Sequence, residues 1–93
     1  MEERVTDNSA RQRFELQLPG GTAFLEYRMH GSLRVLTHAE VPVPMRGSGV
    51  AARLTAGALD LMRSQGERVV PRCPYVVEYI ARHPQYQDLL GPG

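Results

Sequence analysis

Apolar and polar residues alternate strictly over residues 13–18, with the period of a half-buried β-strand. The residues Pro19-Gly20-Gly21 end this run and predict a turn. A second alternating run covers residues 22–30 and ends at Gly31-Ser32, and a third, richer in apolar residues, covers residues 33–41. Three such runs joined by short turns predict an antiparallel meander.

The third strand meets two prolines, and the period then changes. Pro42 and Pro44 lack a backbone N–H, so the strand must splay or stop there. After Gly49 the apolar residues recur at helical spacing, which predicts one long helix with Gly66 as its left-handed C-terminal cap. Residues 68–71 then predict a strand parallel to the third, reached by a right-handed crossover.

The last part of the chain predicts a second helix. It starts at Pro74, which suits a first helical turn, and ends at His83, because the proline that follows disfavours helical backbone. The tail over residues 85–90 is expected to pack through Tyr86 and Leu89. These elements predict an α+β fold: an antiparallel β meander, a βαβ unit and a C-terminal helix, with the helices packed on a mixed central sheet.

The chain has 93 residues, enough for one small domain. Residues 1–11 carry few apolar side chains, so we expect a flexible N-terminal segment there, although charged termini of this kind sometimes add an edge strand. Residues 12–93 are expected to form a single minimal domain. No run of about 18 apolar residues is present, and the charged start lacks the apolar stretch of a signal peptide. We therefore expect a cytoplasmic protein without a membrane partner.

Charge and cysteine content argue against two further classes. The net charge is +1 with acidic and basic residues interspersed, so the basic face that binds nucleic acid is not expected. Cys73 is the single cysteine, which excludes an internal disulfide. Together with the three histidines it offers no paired metal-ligand spacing, so we expect no metal. The oligomeric state stays open.

The strongest chemical signal lies between the third strand and the long helix. Its two glycines allow a sharp turn, and the free N–H groups of a helix start form an anion site that Arg46 would complete. The residues concerned are Arg46, Gly47, Ser48, Gly49, Val50, Ala51 and Ala52. The alternative is a purely structural turn beside a solvated arginine. A P-loop is excluded because the chain has no lysine, and a dinucleotide fold because the chain is too short.

This turn resembles the Q/R-x-x-G-x-G/A signature of the GCN5-related N-acetyltransferases. Further stretches resemble the very small, single-domain subfamily of these enzymes, and the resemblance covers roughly residues 13–90. The stretches are His38-Ala39-Glu40-Val41-Pro42, Val69-Val70-Pro71-Arg72-Cys73-Pro74-Tyr75-Val76 and His83-Pro84-Gln85-Tyr86. Ala39 departs from the threonine expected in that subfamily beside the acetyl group.

The resemblance implies acetyl-CoA as the acetyl donor. It places the pyrophosphate on the N–H groups of residues 47–52 and pairs the pantetheine with the splayed strand at Val41 and Val43. The two prolines that flank Val43 would leave alternate backbone groups free for that pairing.

Transfer to an amine needs a base, because an alkyl ammonium is almost fully protonated at neutral pH. Period-2 counting puts His38 and Glu40 on one face of the third strand, near the expected acetyl group, and either can be the base. The structural alternatives are a hydrogen-bonded histidine and a solvated glutamate.

Two more side chains are candidate catalytic residues. Cys73 precedes a helix start and follows Arg72, an environment that stabilises a thiolate, so it would accept the acetyl group transiently or protonate the CoA sulfur. The alternative is a small buried hydrophobic residue. Tyr79 is a candidate general acid of the kind seen in the wider family, although it lies one turn from Tyr75, a spacing typical of core residues.

The sequence therefore predicts an acetyl-CoA-dependent N-acetyltransferase in which an amine attacks the thioester directly, with Cys73 assisting. A non-catalytic module that binds CoA is the alternative, and a plain interaction domain with a structural glycine turn is a third. The acceptor stays open among an exposed peptide amine, a polyamine and a small metabolite.

Overall fold

A computed structural model describes residues 4–92. Within this range, five strands form one sheet in the order β1-β2-β3-β4-β5. The first four strands are antiparallel to their neighbours, and β5 is parallel to β4. The strands are β1 (Val5–Asn8), β2 (Arg13–Leu18), β3 (Gly21–His30), β4 (Leu33–Glu40) and β5 (Arg68–Pro71). The predicted meander and parallel fifth strand are confirmed.

Two α-helices, α1 (Val50–Ser64) and α2 (Pro74–Arg82), share one hydrophobic core with one face of the sheet. Short 3-10 helices cover Val43–Met45 and Pro84–Leu89, and the second packs through Tyr86 and Leu89 as predicted. The α+β fold class is thus confirmed. No helix within residues 4–92 is both long and apolar enough to span a bilayer.

The prediction of a flexible N-terminal segment is wrong for Val5–Asn8, which forms the edge strand β1 against β2. Gly57 on α1 explains how this strand docks, because a Cβ at that position would overlap the Val5 side chain. The hydrophobic pattern misses β1, since Val5 is its only apolar residue. Residues 1–3 of the predicted segment, and residue 93, lie outside the described part of the chain.

A buried arginine ties β1 to the rest of the sheet. Arg34 on β4 is only 4% exposed, and its guanidinium binds Asp7 at 3.0 Å and Glu67 at 2.7 Å. The Cζ atom of the same guanidinium lies over the Phe14 and Tyr27 rings, 4.9 and 4.3 Å from their centroids. Burial and the bond to Asp7 raise the pKa of Tyr27 to about 12, so its hydroxyl stays a donor to that carboxylate. β1, β4 and the segment before β5 are therefore joined by one charged cluster.

A β-bulge in β4 sets the faces of its last residues. Tyr27 pairs with Leu36 and Glu26 pairs with His38, so Thr37 is the extra residue on β4. Leu36 lies in the core, whereas His38 is turned to the sheet face away from the helices. Ala39, opposite the buried Leu25, returns to the helix side.

Strand β4 continues beyond its partner β5. Their pairing covers Leu33–Leu36, and the backbone N–H groups of Arg72 and Cys73 then both donate to the Leu36 carbonyl, at 2.8 and 3.0 Å. Beyond this point the chain turns into α2, so residues 37–40 of β4 have no neighbour on that edge among the described residues. A wedge opens between the two strands, with its vertex at Leu36.

Loss of the buried charge at Arg34 should destabilise the fold. We expect Arg34→Met to lower the free energy of unfolding by about 3 kcal/mol, because Glu67 and Asp7 would lose their cationic partner. Urea denaturation gives this value. Arg82→Met, which removes an exposed ion pair with Glu78, is the control and should cost less than about 0.5 kcal/mol. Equal stability of the two variants would contradict the role given to Arg34.

Candidate functional site

The wedge between β4 and β5 leads into a cavity of about 510 Å³, within the usual range of small-molecule sites. Three parts of the chain enclose it: the end of β4, the turn before α1, and the start of α2. The lining residues are Ala39, Glu40, Val41, Met45, Arg46, Gly47, Gly49, Val50, Ala51, Ala52 and Tyr75.

The turn before α1 has the backbone geometry of an anion site. Gly47 and Gly49 have φ values of 84° and 81°, in the left-handed region that favours glycine. Gly49 is the N-cap of α1, and no side chain of the described residues caps this helix start. The Ser48 hydroxyl, which could have done so, donates to the Met45 carbonyl instead. Within the part of the chain that the structure describes, the first amides of α1 are thus left for a ligand, where the helix dipole favours negative charge.

Arg46 has a defined place beside this turn. Its Nε donates to the Val41 carbonyl at 2.9 Å, which closes the loop around the Val43–Met45 3-10 helix. The guanidinium therefore holds the end of β4 against the turn. Its two terminal nitrogens have no hydrogen-bond partner among residues 4–92, so they are available to an anion.

Most of the predicted cofactor-binding residues come together in the cavity, and two do not. Val41, Arg46 and the glycine turn line it, whereas Ser48 and Val43 lie outside its lining. The splayed-strand geometry expected at Val43 is wrong, because β4 ends at Glu40 and Val43 begins a 3-10 helix with a 70% exposed side chain. Pro42 and Pro44 start this helix where a continued strand would need N–H groups.

His38 and Glu40 form a pair on the sheet face away from the helices. His38 Nε2 lies 2.8 Å from Glu40 Oε1, and both side chains are about half exposed. The prediction that they share a face is confirmed. Glu40 lines the cavity and His38 does not, so the pair connects the cavity to the open face of the sheet. The ring of Phe24, next to Glu40 in register, lies 6.5 Å from the His38 ring, edge to face.

Cys73 and Tyr79 lie around the cavity without lining it. Cys73 is 5% exposed and sits at the vertex of the wedge, where its backbone N–H binds Leu36. The Tyr79 ring stacks on the His83 ring, with 3.8 Å between the ring centroids. The centroids of the Tyr75 and Tyr86 rings lie 6.3 and 6.1 Å from that of Tyr79. Burial raises the pKa of Tyr79, so its hydroxyl is protonated at neutral pH. Its ring lies in a second groove between the helices.

Sequence reasoning missed Met45 and Tyr75 as lining residues. Met45 reaches the cavity because the 3-10 helix turns the chain inward, with its thioether next to Gly20. Tyr75 follows Pro74 at the start of α2, a position that faces the wedge once β5 is parallel to β4. No three His, Cys, Asp or Glu side chains of residues 4–92 form a cluster suited to a metal ion.

The sequence comparisons agree with this geometry. A family model described as GCN5-related N-acetyl-transferase matches residues 13–89, which is most of the chain. The chain belongs to the GCN5-related N-acetyltransferase family. Its relatives include Protein NATD1 of Xenopus tropicalis, 33% identical over 94 residues, which covers 96% of this chain and 86% of the relative. Protein NATD1 of Mus musculus and of Homo sapiens are 34% identical over the same length, with 86% and 83% of the relative covered.

The burial of Cys73 predicts slow chemical modification. We expect its thiol to react with Ellman's reagent at least about tenfold more slowly in the native protein than in urea, because the reagent cannot reach a buried sulfur. The single cysteine makes the assay specific. Equal rates in the folded and unfolded chain would contradict the burial of this thiol.

Proposed function

We propose that this protein is an acetyl-CoA-dependent N-acetyltransferase in which an amine attacks the thioester directly. The observation that carries the proposal is the uncapped start of α1, which opens onto the wedge between β4 and β5. A diphosphate needs several N–H donors aimed at one point, and the turn at Gly47 and Gly49 supplies them without a side chain in the way.

The residues present fit CoA along its length. The free edge at the end of β4, Ala39 and Glu40, and Val41 just beyond it offer backbone groups to the pantetheine amides, as a neighbouring strand would. The carbonyl of Val41 already accepts one bond from Arg46 and has a second lone pair. CoA bound in this direction would place its sulfur toward Leu36 and Cys73, at the vertex. When bound, acetyl-CoA supplies an acetyl group activated as a thioester.

Glu40 is the base of the proposed reaction. It lines the cavity, and its position on the edge of β4 lets it meet an amine that arrives from the open sheet face. The partner bond to His38 orients the carboxylate. The amine nitrogen bonds to the acetyl carbon while Glu40 takes its proton, and the carbon–sulfur bond breaks.

Cys73 is assigned to the leaving group. The Cys73 thiol would donate a proton to the departing sulfur, and release of the proton that Glu40 takes from the amine would balance the reprotonation of Cys73. Its place at the vertex supports this role, and its burial argues for a proton donor rather than an acetyl acceptor. Tyr79 is given no role in this step, because its ring lies in the groove between α1 and α2 and is stacked on the His83 ring.

The acceptor is an accessible amine. Three classes meet this description: an exposed peptide amine, a polyamine and a small amine metabolite. His38 and Glu40 are about half exposed, so the approach from the open sheet face is wide. The Glu26 carboxylate opposite His38 adds negative charge there, which favours a protonated amine over an anionic acceptor.

Substitution of Gly49 should weaken CoA binding specifically. We expect Gly49→Ala to raise the Kd for CoA at least about tenfold, since a left-handed alanine strains the turn by about 1–2 kcal/mol and shifts its amides. Isothermal titration measures this. Gly31→Ala is the matched control: that glycine also has a positive φ and open space around it, but it lies in the β3–β4 turn. Equal effects of both variants on CoA binding would overturn the anion-site assignment.

The catalytic proposal is tested by acetyl transfer to a panel of amines. We expect Glu40→Gln to lower kcat by about 100-fold or more, with CoA affinity kept within about twofold, because only the base is lost. Glu26→Gln, which changes the same residue type next to His38 and outside the cavity, should keep kcat within about twofold of wild type and raise only the KM for the amine.

Three outcomes count against parts of the proposal. Full turnover of both Cys73→Ala and Cys73→Ser would remove the thiol from the mechanism. An acetylated Cys73 in the mass spectrum, after incubation with acetyl-CoA alone, would replace direct attack by a covalent route. CoA binding without acetyl transfer to any amine would favour the non-catalytic CoA-binding module.

A further inference from the structure

A small polar pocket lies on the open face of the sheet, where the turn between β1 and β2 meets β3 and the bulge in β4. Its volume is about 200 Å³. The lining residues are Arg11, Gln12, Glu26, Tyr27, Arg28 and Thr37. The proposed acetyl transfer gives neither arginine a role.

The strand register places this pocket beside the proposed base. Glu26 pairs with His38, and Arg28 lies two residues further along β3, so both side chains share the face of His38. In the other direction, Phe24 lies two residues before Glu26 and pairs with Glu40. Because two residues of a strand cover about 7 Å, Glu40 lies about that distance along the sheet from the acidic side of the pocket.

The turn between β1 and β2 is held against β3 by backbone hydrogen bonds. Gln12 has a φ of 52°, in the left-handed region, and its carbonyl accepts the Tyr27 N–H at 2.9 Å. Its own N–H donates to the Ser9 carbonyl at 3.2 Å, and the Arg11 N–H donates to the Asn8 carbonyl at 3.2 Å. The Arg11 and Gln12 side chains are therefore kept at the pocket.

The charged side chains of the pocket are unpaired. Within residues 4–92, the side chains of Arg11, Glu26 and Arg28 have no hydrogen-bond or ion-pair partner. Arg13, which pairs with Glu26 in register, is bound to Glu15 Oε2 at 2.6 Å instead. The pocket therefore offers two guanidinium groups and one carboxylate to a ligand.

This set of charges matches an α-amino-carboxylate group. A guanidinium binds a carboxylate through paired N–H donors, and the Glu26 carboxylate suits an ammonium. A phosphate would carry a second negative charge close to Glu26, which disfavours it against a carboxylate. The pocket thus suits a small group that carries one charge of each sign.

Phe24 provides an apolar path from the pocket to Glu40. Its ring is half-buried, with the Cζ atom of Arg13 4.3 Å from the centroid and the His38 ring edge to face. A methylene chain can pack along such a surface. The four-carbon side chain of lysine, when extended, spans a distance similar to the separation of about 7 Å along the strand.

We infer that the acceptor is a free basic amino acid, whose α-amino-carboxylate group binds in this pocket and whose side-chain amine reaches Glu40. The inference rests on the proposed function, because it takes Glu40 to be the base. The α-carboxylate binds Arg11 and Arg28, and the α-ammonium binds Glu26. The acetyl group passes from the CoA sulfur to the side-chain nitrogen, which gives its proton to Glu40, and the α-amino-carboxylate group is unchanged.

The test compares L-lysine with three analogues as acceptors in a steady-state assay with acetyl-CoA. Cadaverine lacks the carboxylate, ε-aminocaproate lacks the α-amino group, and Nα-acetyl-lysine methylamide represents a lysine inside a polypeptide. We expect kcat/KM for L-lysine to exceed that for each analogue at least about tenfold.

Two variants assign the preference to the pocket. Arg28→Gln should raise the KM for L-lysine at least about tenfold and keep kcat within about twofold. The KM for cadaverine should stay within about twofold in the same variant, because cadaverine has no carboxylate to lose. Glu26→Gln should abolish the preference for L-lysine over ε-aminocaproate.

Each contrary outcome has a distinct meaning. Wild type that uses cadaverine or Nα-acetyl-lysine methylamide as well as L-lysine would overturn the inference and leave the proposed function standing. So would transfer to other amines but to none of these four, or an equal loss of L-lysine and cadaverine turnover in Arg28→Gln. Acetyl transfer to no amine at all would instead overturn the proposed function.

A measurement on wild type keeps the inference testable if Arg28→Gln does not fold. Titration of the CoA-bound protein with L-lysine should shift the backbone amide signals of Arg11, Gln12, Glu26 and Arg28, and cadaverine should shift them less. L-lysine shifts confined to other parts of the chain would overturn the inference.

Discussion

The separation of β4 from β5 after Leu36 is the constraint on which the rest of the site depends. One carbonyl accepts the amides of both Arg72 and Cys73, so the fifth strand ends there while β4 continues. A paired edge at Ala39–Val41 would leave no cavity and no open backbone for a ligand. The wedge therefore comes from the hydrogen-bond pattern of the sheet, and the side chains around it only complete the site.

The same strand carries the stability of the sheet and the geometry of the site. At its beginning, the Arg34 guanidinium is buried among Asp7, Glu67 and two aromatic rings, which fixes the order of β1, β4 and β5. At its end, the bulge at Thr37 turns Glu40 to the open face and Ala39 to the helix side. A chain this short has no separate element for stabilising the sheet or for shaping the site. Residues a few positions apart on β4 therefore do both.

The periodicity of the sequence predicted β2 to β5, both α-helices and the glycine turn, because each has a strong local signal. It could not predict β1, whose docking depends on contacts with Gly57 and Arg34 that are distant in sequence. The periodicity also could not predict the 3-10 helix at Val43. Two prolines end a strand, but they do not specify the structure that follows it. Likewise, the burial of Cys73 and the groove position of Tyr79 follow from how α2 packs on α1, a tertiary property that spacing along one helix does not encode.

The most direct test of the account is an amide ¹H–¹⁵N spectrum recorded during a titration with CoA. The backbone amides of Gly49, Val50, Ala51 and Ala52 donate to the diphosphate in this account, so their signals should show the largest shifts, with the protons moving downfield. Amides of the β3–β4 turn around Gly31 should stay in place. Saturable CoA binding that leaves the four α1 amides unshifted would contradict the central claim.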